Sequence, residues 1–322
     1  MKKIIALAAV LVIIIGGWTA AWFYVGNIAR QNILALDHVD GQTTPRVTCH
    51  RLDIGGYPFY LDVTCTGATV VSGDLTAALA EFKASIGIDD ISHAVAFATG
   101  PLAIEDAFTG SKYRLDWKAL EASARLTGWR IARISIAGNA FALTETQGAD
   151  NLVAKAGHAE FHLLDAPDQY DAARHLAAVR AYATVSGLNA PGIQINDGKS
   201  TLDATITRLP DDVRTYGDAD LVKRWQAAGG EIKLTGFKGE DGPQDFAVAG
   251  HAGLDAGGRP AGQLDITSRG LVERLAPLVP EQWRPIVLGN PSADGSYRQT
   301  INMTNGLIFS GIVPLGALPS LM

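Results

Sequence analysis

Apolar residues along this chain first form an unbroken block and then settle into alternation. After Met-Lys-Lys, residues 4–26 read IIALAAVLVIIIGGWTAAWFYVG, 23 positions without a charge. An α-helix rises 1.5 Å per residue, so about 20 such residues cross the roughly 30 Å hydrocarbon layer of a bilayer. The pattern predicts a signal-anchor helix over residues 1–26 and a helical linker over 27–45 that breaks at Gly41 and Pro45. Trp18, Trp22, Phe23 and Tyr24 match the aromatic belt of a membrane–water interface. A cleaved signal peptide, with small residues near Ala20-Ala21, is the competing reading; apolarity continuing through Val25 argues for an anchor that stays.

From residue 46 the period changes to two. RISIAGNAFALTE, HAEFHLL, IQINDGKSTLDATITRL, GEIKLTGF, QDFAVAG, GQLDITSRG and SYRQTINMTNGLIFSGIV alternate apolar with polar residues, punctuated by glycine. That is the signature of half-buried antiparallel strands joined by hairpins. NDGK at 196–199 and DAGGRPAG at 255–262 are the clearest turn sequences. Thr127-Gly128, Ser186-Gly187 and Thr235-Gly236 read as places where long strands bend or close. Helices are few. DADLVKRWQAAGG carries a cap in Asp218 or Asp220, a stripe in Leu221, Val222 and Trp225, and a stop at Gly229. SRGLVERLAPL and PEQWRPIVLG suggest two more, the second with Pro280 at its first turn. DWKALEASARL and YDAARHLAAVRAYATV stay open between helix and strand. The predicted fold is mainly β (α+β): a transmembrane helix, then a long, curved antiparallel sheet over 46–322 with a few short helices packed on it. A division into two lobes would fall near 185–215.

Both cysteines lie in CHRLDIGGYPFYLDVTC, residues 49–65. If Cys49 faces Cys65, paired residues sum to 114, yet Leu52 and Ile54 are even-numbered while Phe59, Leu61 and Val63 are odd. Matching the apolar faces needs an odd sum, 113, which pairs Ile54 with Phe59 around a Gly55-Gly56-Tyr57-Pro58 turn. One extra residue between Leu61 and Cys65, a β-bulge, reconciles the two registers. A disulfide is the expected state in an exported chain. The alternatives fail on geometry: Cys49 and His50 point to opposite faces of a strand, and 15 intervening residues do not make a redox Cys-x-x-Cys.

The remaining chemistry is thin. Formal charge is −6, and without Lys2 and Lys3 the 25 basic and 33 acidic residues left give −8, with no basic run to neutralise phosphates. That balance argues against nucleic-acid binding. His158, Glu160 and His162 share one strand face and raise the question of a metal. Strand positions four apart are about 13 Å apart, too far to chelate together, and a solvated polar face accounts for them. No nucleophile elbow, phosphate loop or dinucleotide fingerprint occurs. Asp89-Asp90 and Asp211-Asp212 read as turns or helix starts, and Trp117, Trp129, Trp225 and Trp283 as core or edge anchors. No catalytic residue, cofactor or metal is expected.

Gly56-Tyr57-Pro58-Phe59 leading through an apolar strand to Cys65, and the closing Pro314-Leu315-Gly316-Ala317-Leu318-Pro319, resemble two motifs of a bacterial family labelled domain of unknown function 2125. The resemblance spans nearly the whole chain and brings no activity with it. The segment AGLDAGGRPAGQLDITSRGLVERLAPL is also similar to hairpins of AsmA-like envelope proteins, which are anchored in the inner membrane and extend a curved sheet into the periplasm. That likeness implies a non-enzymatic role in envelope maintenance or the handling of phospholipid or another apolar ligand. A periplasmic scaffold is the alternative, and a hydrolase with a non-standard site ranks third. Lys2 and Lys3 put the N-terminus in the cytoplasm, the single span in the inner membrane and the bulk of the chain in the periplasm. The apolar tail LIFSGIVPLGALPSL reads as the last strand rather than a second membrane contact.

Overall fold

The computed structural model describes residues 2–42, 44–270, 281 and 291–322. The two helices expected after Ser268, with Pro280 and Trp283, lie outside the described residues. The chain divides into two compact units, Met1–Ser123 with Phe141–Val153, and Ala124–Ala140 with Ala154–Met322. Residues 185–215, where sequence suggested a division, are inside the second.

In the first unit, helix α1 runs from Lys2 to Ala35 without interruption, taking in the expected anchor and the first nine residues, 27–35, of the expected helical linker; it ends before Gly41, where the break was expected. It is long and apolar enough to cross a membrane, with a mean hydropathy of 2.5 over its most apolar window. Five strands follow: β1 (Arg46–Gly55), β2 (Tyr60–Ser72), β3 (Leu75–Gly87), β4 (His93–Asp106) and β5 (Lys112–Asp116). Strands β6 (Ala119–Thr127), β7 (Arg130–Glu145) and β8 (Asn151–Asp165) have residues in both units. The second unit continues with β9 (Leu176–Ala190), β10 (Ile195–Pro210), helix α2 (Leu221–Ala227), β11 (Glu231–Asp241), β12 (Gln244–Leu254) and β13 (Pro260–Arg269). It closes with β14 (Tyr297–Thr304), β15 (Leu307–Ser310) and β16 (Val313–Ala317). Among the described residues these make one long antiparallel sheet in which sequence neighbours pair, with only β6 off the path.

Several local expectations change. DWKALEASARL forms the end of β5 and most of β6, and YDAARHLAAVRAYATV is a turn followed by β9, so the alanines serve as small strand residues. Ala177, Ala178 and Ala181 are among the most buried side chains of the second unit. Strand-pairing overrides their helix propensity. NDGK does not turn: Asn196 to Lys199 belong to β10, and the reversal falls at a 3-10 turn, Pro191–Ile193, where proline sets the first φ. DAGGRPAG does turn, with Asp255 Oδ1 accepting from the backbone N–H of Gly257 and Arg259. Gly187 and Gly236 bend rather than end their strands, sitting beside register shifts against β10 and β12. Helix α2 starts after Asp220, whose carboxylate pairs with Arg224 at 3.4 Å instead of capping. Trp225 donates from Nε1 to the Thr207 carbonyl at 2.7 Å and so ties α2 to β10.

The first hairpin also differs from expectation. Its register sum is 117 throughout: Ile54 pairs with Val63, Leu52 with Cys65, and Cys49 with Ala68, with no bulge between Leu61 and Cys65. The odd sum that aligns the apolar faces is kept, while the outermost pair, Gly55 with Asp62, leaves six residues in the connection where four were expected. The parity conflict is absorbed elsewhere, by a crease in which His50 and Gly67 face one another. On either side the apolar positions change parity together: Val47 and Cys49 give way to Leu52 and Ile54, and Val63 and Cys65 to Ala68 and Val70. The crease continues to a register shift between Leu79 and Glu81 of β3 against β4. Gly67 has φ +60°, and a Cβ there would stand 3.0 Å from the Cβ of His50. Cys49 and Cys65 are bonded diagonally across it, with Cα atoms 5.4 Å apart.

Burial is shallow. In the first unit the buried apolar side chains among the described residues are Trp22, Leu52, Cys65 and Ala68. In the second, Val179 is the largest fully enclosed side chain among the described residues. Most strand residues are half-buried on both faces.

Candidate functional site

The tip of the first hairpin is fastened to α1 by hydrogen bonds. Gly56, φ +93°, starts the loop, and a Cβ there would meet the Tyr60 carbonyl at 2.7 Å, so only glycine fits. Its carbonyl accepts from Tyr60 N–H at 2.8 Å. Two carbonyls, one in the loop and one on the first residue of β2, accept from the helix. Trp18 Nε1 donates to Pro58 O at 3.0 Å, and Trp22 Nε1 to Tyr60 O at 2.8 Å. Thr19 and Tyr57 share a hydroxyl hydrogen bond at 2.8 Å, and the Trp22 ring meets Tyr57 edge-on. Further along, Arg30 donates to Leu52 O at 2.7 Å, and Leu36 O accepts from Val47 N–H. Of the four expected turn residues, Tyr57 and Pro58 thus clasp the helix together with Tyr60, while Gly55 pairs with Asp62 and Gly56 shapes the turn.

Beside this clasp lies a cavity of about 310 Å³. Its helix wall is Trp18, Ala21, Trp22 and Val25, the i, i+3, i+4, i+7 spacing that brings residues onto one face. Its sheet wall is the cross-strand pair Leu61–Ile86, continued by Ile88 and Ile91. Both indole N–H groups are already used by loop carbonyls, so the lining offers carbon and almost nothing polar. The volume sits at the lower end of small-molecule sites, and its chemistry suits an aliphatic chain. Sequence reasoning placed Trp18 and Trp22 at a membrane interface and missed this cavity. The stripe 18–21–22–25 was present, but in a helix that is apolar all round it has no polar background to stand out against.

The polar trio His158, Glu160 and His162 is brought together, around the carboxylate. Glu160 Oε1 lies 2.6 Å from His158 Nε2, and Oε2 lies 3.1 Å from His162 Nε2. The outer nitrogens are also engaged, His158 Nδ1 with Asn139 Oδ1 at 2.7 Å and His162 Nδ1 with Ser135 Oγ at 2.9 Å. His162 stacks on Tyr182, its ladder partner in β9. Hydrogen bonds from His162 and then His158 hold the Glu160 carboxyl below its ordinary value. With all four ring nitrogens partnered, the trio laces β7, β8 and β9 together. Among the described residues, no group of three or more His, Cys, Asp or Glu is arranged to hold a metal ion.

The other polar candidates have local partners. Asp212 accepts from Arg214 N–H at the start of a 3-10 turn, and Asp211 accepts from the Tyr170 hydroxyl. Trp117 donates to Ala98 O at 2.8 Å, and Arg214 lies over the Trp129 ring at 4.3 Å. A second apolar recess, about 240 Å³, lies between Leu188, Ile195, Phe237 and Phe246 in the second unit, with Lys199, Glu240 and Asp245 at its rim.

One protein-family model matches residues 22–319, described as an uncharacterized protein conserved in bacteria (DUF2125). No curated protein and no solved structure matches.

Proposed function

This chain belongs to the DUF2125 family of bacterial proteins, and we propose that it is an inner-membrane protein whose cavity beside α1 receives the aliphatic chain of a phospholipid or another apolar ligand. The carrying observation is that cavity: carbon-lined, about 310 Å³, with one wall made by the membrane-capable helix itself. Lys2 and Lys3 favour a cytoplasmic N-terminus and a periplasmic sheet. A disulfide suits that oxidising compartment. Cleavage near Ala20-Ala21 would remove Trp18 and Thr19 from the clasp, which supports a retained anchor. The role is non-enzymatic, in envelope maintenance or lipid handling.

Ala21→Trp, which places an indole in the cavity, tests the reading. Full-length protein purified in a mild detergent should carry phospholipid in native mass spectrometry, and the variant should lose it. Equal lipid on both, or none on either, overturns the assignment. A scaffold is the second reading, favoured by the edge of β16: its only strand partner among the described residues is β15, and Ile312 beside it is 94% exposed. Strand addition there is the mode such an edge offers.

A further inference from the structure

We infer that the tip of the β1–β2 hairpin and the β3–β4 loop insert into the membrane leaflet from which α1 emerges, at the boundary between headgroups and acyl chains. The occupant of this apolar tip is therefore the bilayer itself.

The argument begins with a length. Trp18 is hydrogen-bonded to Pro58, so that helix residue marks the level of the hairpin tip. From Ile4, the first residue after the lysines, 14 residues of rise bring α1 to Trp18 after only about 21 Å. The hydrocarbon layer is roughly 30 Å thick, so about 9 Å of it still lies ahead when the helix meets the sheet. Either the bilayer thins to the length of 14 residues, or the tip enters it. About 9 Å is also the depth that interfacial elements reach, roughly 5–10 Å.

The surface fits that depth. Phe59 is 67% exposed and Ile91 80% exposed, with Tyr57 and Tyr60 also open beside them. The two loops form one tip, since Phe59 O accepts from Ile88 N–H at 2.9 Å. Phe23 and Tyr24 on the same stretch of α1 are exposed as well. Tyrosine and tryptophan with an apolar body and a polar end are the side chains that settle at this boundary. Asp89 and Asp90 in the β3–β4 loop limit the depth: their carboxylates stay among headgroups while Phe59 and Ile91 reach the first acyl carbons. The opposite end of β4 supplies an internal contrast. Phe108, in the β4–β5 turn, is 85% exposed, and 14 strand residues at about 3.3 Å each separate it from the tip. An equally exposed aromatic there is predicted to remain in water.

The inference rests on α1 crossing the membrane, and the experiment separates the two. Single cysteines replacing Val12, Phe59, Ile91 or Phe108 in the full chain are labelled with an environment-sensitive fluorophore, after mass analysis confirms that Cys49–Cys65 is intact. The protein is reconstituted into phosphatidylethanolamine–phosphatidylglycerol vesicles with or without bromine on the acyl chains. Bromine should reduce emission about twofold at 12, 59 and 91 and leave 108 unchanged, as a tip at the acyl boundary requires. If 12 is quenched while 59 and 91 respond to aqueous iodide as strongly as 108, the anchor stands and tip insertion is overturned. If 12 itself is open to iodide, the anchor falls and the inference with it. These four side chains are all exposed, so circular dichroism matching the unlabelled protein is expected of every variant.

Discussion

Replacing Gly67 with alanine should weaken the first hairpin through two separable effects. Gly67 sits at φ +60°, and a side chain there costs roughly 1–2 kcal/mol from the left-handed backbone alone. The second effect is steric: the new Cβ would stand 3.0 Å from the Cβ of His50, an atom fixed to the backbone of β1. Relieving that contact means shifting one strand in the ring closed by Cys49–Cys65, for about 1 kcal/mol more, at the low end of overpacking costs. A total of about 2–3 kcal/mol lowers Tm by roughly 5–10 °C if a chain of this size follows the usual scaling. The assay is thermal melting of detergent-solubilised full-length protein as a double-mutant cycle with His50→Gly. In the His50→Gly background the steric part disappears and only the backbone part remains, so the cycle should show coupling of about 1 kcal/mol. A Gly67→Ala protein that melts with the wild type refutes the left-handed conformation. A full effect with no coupling to His50 refutes the facing geometry of the crease.

Two further outcomes follow from the geometry. Cys49→Ser with Cys65→Ser should cost about 3 kcal/mol in the chain-entropy model for a ring of this size, and wild type in reductant should melt like the double variant; indifference to both sinks the disulfide's contribution. Glu160 carries a folded-state pKa below its unfolded value near 4.5, so its contribution is present above that value and lost as pH falls through the lower folded one. Melting followed from pH 6 to pH 3 should therefore decline less steeply for Glu160→Gln than for wild type, and parallel curves would count against the trio as a stabilising lace.

Legibility in the sequence followed contrast. The anchor could be read because nothing interrupts its apolarity, and the later strands because glutamine, aspartate and threonine alternate with isoleucine, leucine and phenylalanine. Strands β3, β4 and β6 were harder, since TAALAEFKASIG, HAVAFATG and ALEASARLT are rich in alanine, which suits helix and half-buried strand alike. The first hairpin shows what parity can and cannot do. It selects the odd register that puts Leu52, Ile54, Val63 and Cys65 on one side, but the length of the loop depends on tryptophans more than thirty residues upstream. Nothing local at Gly55–Tyr60 announces that the Pro58 and Tyr60 carbonyls are taken by a helix. The histidine trio was legible as a shared face and illegible as a network, because Asn139 and Ser135 come from another strand.

The strand order carries a consequence for assembly. Among the described residues, every strand apart from β6 lies beside its predecessor in the chain. A chain delivered N-terminus first can therefore lay each new strand on an edge that is already waiting. At most steps the connection is a short hairpin, the condition that keeps sheet formation fast, while β10–β11 and β13–β14 are joined across 20 and 27 residues. The price is an edge that stays sticky throughout synthesis, moving from β2 to β3 and onward until β16 arrives. The hairpin clasped by α1 is the first edge to exist, and fastening it to the helix gives the growing sheet a fixed end from which it extends in one direction only.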